Sequence, residues 1–270
     1  MKSKNQYTRN KNEKPAKWGF TLIELLIVVA IIALLLAILL PAFNGAKRIA
    51  RSVFCQGNLR QIAIGWDIYL DENQEYFYQG VNVNHSFGGW KGIGGYSSYR
   101  PLNKQLNLPT SNITEVNVKV FLCPSDRGGI FNGPPELKAF QYFGNSYQTN
   151  IFIIGPNQAG VPHDKRKNLH ERINNRLKKI KRSSVSQPDR LLLVGDNGWM
   201  NQWDPDRPEM PSWHAKRHHH NLAFLDGRVE FLRIRKGLYI NPKEDYRVLP
   251  FAELDAIAYE VQEEVVPTEE

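Results

Sequence analysis

Four histidines fall close together late in the chain, His214, His218, His219 and His220, with Asp196 before them and Asp226 after. Imidazole nitrogens and carboxylate oxygens are the donors of zinc and other divalent sites. Only His214 and His218 have the i,i+4 spacing that would set two ligands on one helical face, and no flanking periodicity predicts a helix there. His214, His218 and Asp226 are therefore the candidate metal ligands, against the plainer reading of a solvated His-rich loop. Asp226 and Gly227 also have a structural reading. They separate two apolar runs in "NLAFLDGRVEFL", which predicts a two-residue β-hairpin turn of type I′ with positive φ at both central residues. The motifs GxSxG, HExxH and paired CxxC are absent, so no nucleophile with its base can be assembled; the chain does not read as an enzyme, and no cofactor is expected.

A second residue raises a chemical question by its isolation. In "KWGFTLIELLIVVAIIALLLAILLPAF" a single carboxylate, Glu24, stands in a run long enough to cross a bilayer. Leaving it there unpaired costs several kcal/mol. Residues 25–40 are all apolar, and the 24 residues from 20 to 43 would reach roughly 36 Å as a helix. The basic residues Lys2, Lys4, Arg9, Lys11, Lys14 and Lys17 precede the run against only Glu13. This asymmetry predicts a cytoplasmic N-terminus and a translocated remainder. It also explains most of the formal charge of +8, which falls to +3 without the leader, so the basic balance is weak support for a polyanion partner. A signal peptide cleaved near "PAFNGA" is the alternative, but the run is long for one, and its periodicity continues beyond.

Apolar residues recur at three-to-four spacing through Ala46, Ile49, Val53, Ile62, Trp66 and Leu70, so the membrane helix extends to about residue 70 as one amphipathic helix. Pro41 is expected to kink it rather than end it. The expected organisation is a leader over 1–19, a long helix over 20–70 that spans the membrane at about 20–43, and a globular α+β domain over 71–270. Cys55 follows the span and Cys123 ends a predicted strand. In an oxidising compartment they could bridge; otherwise they are buried free thiols.

The segment "GFTLIELLIVVAIIALLLAILLP" resembles the class III signal of type IV prepilins and of type II secretion pseudopilins: a basic leader, Gly19, Phe20, Glu24, an apolar helix and Pro41. The resemblance implies cleavage between Gly19 and Phe20 by a prepilin peptidase, N-methylation of Phe20, and assembly in which Glu24 meets the new N-terminal amine of a neighbouring subunit. Its implied partners are other pilin or pseudopilin subunits, an inner-membrane assembly platform and membrane lipid. The implied fold is pilin-like, a long N-terminal helix packed on an antiparallel sheet. The alternative is a membrane-anchored periplasmic binding or metal-dependent domain that uses the helix as a tether. Later stretches, "CQGNLRQIAIGWDIYLDENQEYF", "FLCPSDR", "NSYQTN", "LLLVGDNG" and "HAKRHHHNLAFLDGRVEF", resemble prepilin-like proteins with an H-X9-DG C-terminal region. Where that pattern places its histidine, this chain has Lys216, with His214 and His218 to either side.

Remaining segments supply the frame. Residues 88–99, "GGWKGIGGYSSY", read as a surface loop, 119–123 as a short strand and 191–195 as a buried one. "KRKNLHERINNRLKKIKRS" reads as a basic amphipathic helix with Leu169, Ile173, Leu177 and Ile180 inward. Its outer face suits solvent or a subunit contact better than DNA. A last helix from about residue 251 carries Leu254, Ile257, Val261 and Val265 on one side, before an acidic tail.

Overall fold

The computed structural model describes residues 20–79, 83–95, 99–129, 133–154, 162, 164–178, 180–214, 216–243 and 245–265. A single helix, α1, runs Leu22–Glu72 and continues unbroken through Pro41. The chain divides into two compact units, Met1–Ala46 and Lys47–Glu270, so the division falls inside α1. In the first unit the described residues are the start of α1 and the two residues before it, and their large apolar side chains are all exposed. The helix is long and apolar enough to cross a membrane.

The second unit takes up the rest of α1, where Cys55, Leu59, Ile62, Ala63, Trp66 and Leu70 are buried. Their three-to-four spacing sets them on one face, and the interior they meet is aromatic. Trp66 lies 5.9 Å from Phe87, which in turn meets Phe121 at 6.0 Å, centroid to centroid. Further helices follow as Val83–Ser86 (α2), Pro101–Gln105 (α3), Ala139–Phe143 (α4), Lys167–Leu177 (α5), Trp199–Trp203 (α6) and Asp255–Val265 (α7). The strands are Tyr147–Thr149 (β1), Leu192–Asp196 (β2), His219–Phe224 (β3), Val229–Arg233 (β4), Ile240–Asn241 (β5) and Tyr246–Arg247 (β6). β1 to β4 form an antiparallel sheet in sequence order, and β5 pairs with β6. The α1 face meets this sheet through polar contacts as well as apolar ones. Asn58 Nδ2 donates to the Tyr147 hydroxyl at 3.1 Å, and Gln56 Nε2 donates to Asn221 Oδ1 at 3.0 Å. The class is α+β, consistent with a pilin-like fold.

Several segments depart from the sequence reading. Residues Lys119–Phe121 form a 3-10 turn instead of a strand. The main chain satisfies itself, Phe121 N donating to Val118 O and Leu122 N to Lys119 O, both at 3.0 Å. The glycine-rich stretch is not all surface, since Gly88 and Gly89 are buried. A Cβ on Gly88 would lie 2.1 Å from the Phe121 ring, and Gly89 has φ +95, so both positions require glycine. The hairpin after β3 holds three residues rather than two. Gly227 N donates to Phe224 O at 3.0 Å and Phe224 N to Arg228 O at 2.8 Å. Gly227 alone has positive φ, at +89, which is a turn followed by a glycine bulge and not type I′. Asp226 Oδ1 accepts from Arg228 N at 2.9 Å and steadies that turn.

Other expectations match. β2 is fully buried, and α5 buries Leu169, Ile173 and Leu177, with Ile180 buried beyond its end. Outward basic residues near it are partly engaged, Arg176 with Glu253 at 3.0 Å and Lys165 with Glu264 at 2.9 Å. The C-terminal helix opens with a 3-10 turn, Ala252–Leu254, and buries Leu254 and Val261. The side chain of Val265 lies outside the described residues.

Buried charge is handled by networks that no single segment contains. Asp126 is buried and accepts four hydrogen bonds, from Gly128 N (3.1 Å), Ala139 N (3.0 Å), Phe140 N (2.8 Å) and Ser146 Oγ (2.7 Å). Two of these amides open α4, whose first-turn donors would otherwise be unpaired. Arg247 is buried and donates to Asp255 Oδ2 at 2.8 Å, joining β6 to the first turn of α7.

Candidate functional site

The start of α1 is built by its own first residues. Phe20 is exposed, and Gly19 lies outside the described residues. Thr21 N donates to Glu24 Oε2 at 2.9 Å, the Thr21 hydroxyl donates to the same oxygen at 2.8 Å, and Glu24 N donates to Thr21 Oγ1 at 3.2 Å. This is a capping box, in which residues three apart satisfy each other's unpaired amides. The signature is legible in "TLIE", a Thr and a Glu three apart ahead of an apolar run. Within one chain, Glu24 therefore already has a polar partner.

The histidines disperse. His219 and His220 begin β3, and His218 Nε2 lies 3.1 Å from Glu209 Oε2. Burial pushes His220 down to about 4, with the neighbouring Asp196 carboxylate acting in the opposite sense. Asp226 lies in the turn beyond Phe224, at the opposite end of β3 from His219 and His220. His214, His218 and Asp226 are thus not brought together. The cluster is not a solvated loop either, because His214 and His220 are both buried.

The strand pairing assembles a different group. β2 places Asp196 beside Asn221 of β3, and Asn221 N donates to Asp196 Oδ2 at 2.8 Å. His214 Nε2 lies 3.0 Å from that oxygen, 2.9 Å from Asn221 Nδ2 and 3.8 Å from Cys123 Sγ. Cys123 is bridged to Cys55 of α1. Among the described residues, Cys55, Cys123, Asp196 and His214 are the group whose ligand atoms come close enough to hold a metal ion, all within 4.8 Å of one another and all buried. Asp196 and His214 are 18 positions apart, so linear spacing gave no signal of their pairing. As the chain stands, the sulfurs are bonded to each other, and a disulfide sulfur is a poor ligand beside a thiolate.

Comparison with curated proteins and with solved structures returns no significant match. Residues 19–40 match the prokaryotic N-terminal methylation motif, a segment that takes in Gly19, Phe20 and Glu24 and runs on through the apolar part of α1 as far as Leu40. The chain therefore carries a class III prepilin-like signal, that of a type IV pilin or pseudopilin precursor.

Proposed function

We propose that this protein is a structural subunit, not an enzyme, made as a membrane-inserted precursor. A prepilin peptidase cleaves it between Gly19 and Phe20, Phe20 is N-methylated, and the product assembles through α1 into a type IV pilus or a type II secretion pseudopilus. The basic leader stays on the cytoplasmic side by the positive-inside rule, with the globular unit on the periplasmic side of the inner membrane. Other subunits, the inner-membrane assembly platform and lipid are its partners.

One observation carries this reading. The methylation motif lies on a helix whose apolar side chains over its first half are all exposed. A helix of that kind needs a surrounding that is not water, and lipid before assembly or sister helices after it supply one. The test is the intact mass and N-terminal sequence of protein purified from membranes. A start at N-methylated Phe20 is expected, and Gly19→Val is expected to accumulate the full-length precursor. Mature-sized protein from Gly19→Val, or wild type that keeps its leader, would reduce the helix to a tether.

A further inference from the structure

The group at the junction of α1, β2 and β3 has more donor atoms than its hydrogen bonds employ. Nε2 of His214 faces an acceptor, Asp196 Oδ2, and a donor, Asn221 Nδ2, at 3.0 and 2.9 Å. One ring nitrogen satisfies only one of them, as donor or as acceptor. Asp196 Oδ1 is buried with no hydrogen-bond donor among the described residues, although Asp196 is 1% exposed. A buried carboxylate oxygen left without a donor is destabilising. Convergent lone pairs around an under-satisfied carboxylate are the arrangement a cation resolves, and two sulfurs stand in the same cluster.

We propose that reduction of the Cys55–Cys123 bridge turns this cluster into a four-ligand site for a zinc-class divalent cation, held by both thiolates, the His214 imidazole and the Asp196 carboxylate. Two sulfurs, one nitrogen and one oxygen suit the tetrahedral preference of zinc. A dithiol supplies two electrons and two protons to the S–S bond and closes to its own cyclic disulfide. The cation then displaces both thiol protons to solvent. Asp196 keeps Asn221 N on Oδ2 and offers Oδ1 to the metal. Ser125 N, 3.4 Å from Cys123 Sγ, is an amide that supports a thiolate. A surface pocket lined by Glu209, Pro211, His214 and His218 gives the ion its approach. A disulfide-class oxidant that accepts two electrons from the thiolates and two protons from solvent, and is itself reduced to a dithiol, re-forms the bridge, removes two ligands and expels the metal.

The test uses the full chain in detergent micelles, stripped with a chelator, reduced by a dithiol without oxygen, desalted, and titrated with Zn²⁺ and with Co²⁺. One zinc per chain in native mass spectra is expected for the reduced protein and none for the oxidised protein. Cobalt should give sulfur-to-metal charge transfer with tetrahedral d–d intensity. Asp196→Asn, which retains the shape and the Asn221 contact, should lose the metal while keeping its near-ultraviolet circular dichroism, and Cys55→Ser/Cys123→Ser should lose it too. His218→Ala and Asp226→Asn should bind as wild type does. Reduced wild type that takes up no metal, a cobalt spectrum without thiolate bands, or stoichiometric binding by the oxidised protein would each overturn the proposal.

Discussion

Reducing the Cys55–Cys123 bridge in the presence of a chelator should destabilise the globular unit by an amount set by the loop it closes. The two cysteines are 68 positions apart. Releasing a loop of that length returns about 4 kcal/mol of chain entropy to the unfolded state at 25 °C. No side chain is removed, so the loss contains no cavity contribution, and the chelator keeps any metal from substituting for the bond. In a unit of this size 1 kcal/mol moves the midpoint by about 2–4 °C, so the expected fall is roughly 8–16 °C. The assay is thermal unfolding of the full chain in micelles, followed by near-ultraviolet circular dichroism. That signal reports the aromatic interior around Trp66, Phe87 and Phe121 and not the apolar start of α1. Alkylation of denatured, unreduced protein should label neither cysteine. A midpoint that moves by less than about 3 °C would mean that the unfolded chain gains no freedom from the release, and the loop-closure reasoning would fail.

Glu24→Gln should keep the cap with Thr21, since glutamine can also reach back from that position. Glu24→Ala should lose roughly 1 kcal/mol of helix-start stability. If assembly needs the charge, both variants give few filaments; filaments from Glu24→Gln at wild-type yield would show that the cap is all the residue provides. His85 is buried, stacks on Phe143 at 3.9 Å, and is pushed down to about 3 by burial. Its proton binds more readily in the unfolded chain, so its contribution to stability is complete above pH 6.5 and falls by about 1.4 kcal/mol per unit as pH drops toward 3. Denaturant midpoints at pH 7, 5 and 4 should show a shallower acid slope for His85→Phe, and an unchanged slope would refute this. Gly227→Val should cost about 1 kcal/mol or more through positive φ alone, because the space around that position is open. Asp226→Asn keeps its bond to Arg228 N and should lower the unfolding free energy from denaturant titration by less than about 0.5 kcal/mol; a larger loss would assign Asp226 a role beyond the turn.

What could be read from the sequence was local in the chain. The methylation signal lies within residues 19–40, and the apolar faces of α1 and α5 repeat every three or four residues. The buried strand β2 and the hairpin of β3 and β4 show as apolar runs with a turn between them. What could not be read depends on partners far apart. Residues 119–121 have the composition of a strand, but among the described residues no strand pairs with them, and they coil into a 3-10 turn. His214 resembles a member of a histidine run, yet its neighbours come from β2, β3 and the segment carrying Cys123. The hairpin is legible in the sequence and its turn type is not. Asp226 and Gly227 fit a two-residue type I′ turn, whereas beyond the Ala223–Val229 pair the Phe224 N to Arg228 O bond closes the hairpin and leaves three residues for the turn.

The Asp126 carboxylate has a kinetic consequence. Gly128 N, Ala139 N, Phe140 N and the Ser146 hydroxyl all end on its two oxygens. Any fluctuation that swings the carboxylate away exposes the three amides together. Their hydrogen exchange should therefore report one shared opening, with closely similar protection that responds in parallel to denaturant. Gly128, the start of α4 and Ser146 then open and close as one cooperative unit, although they lie far apart along the chain.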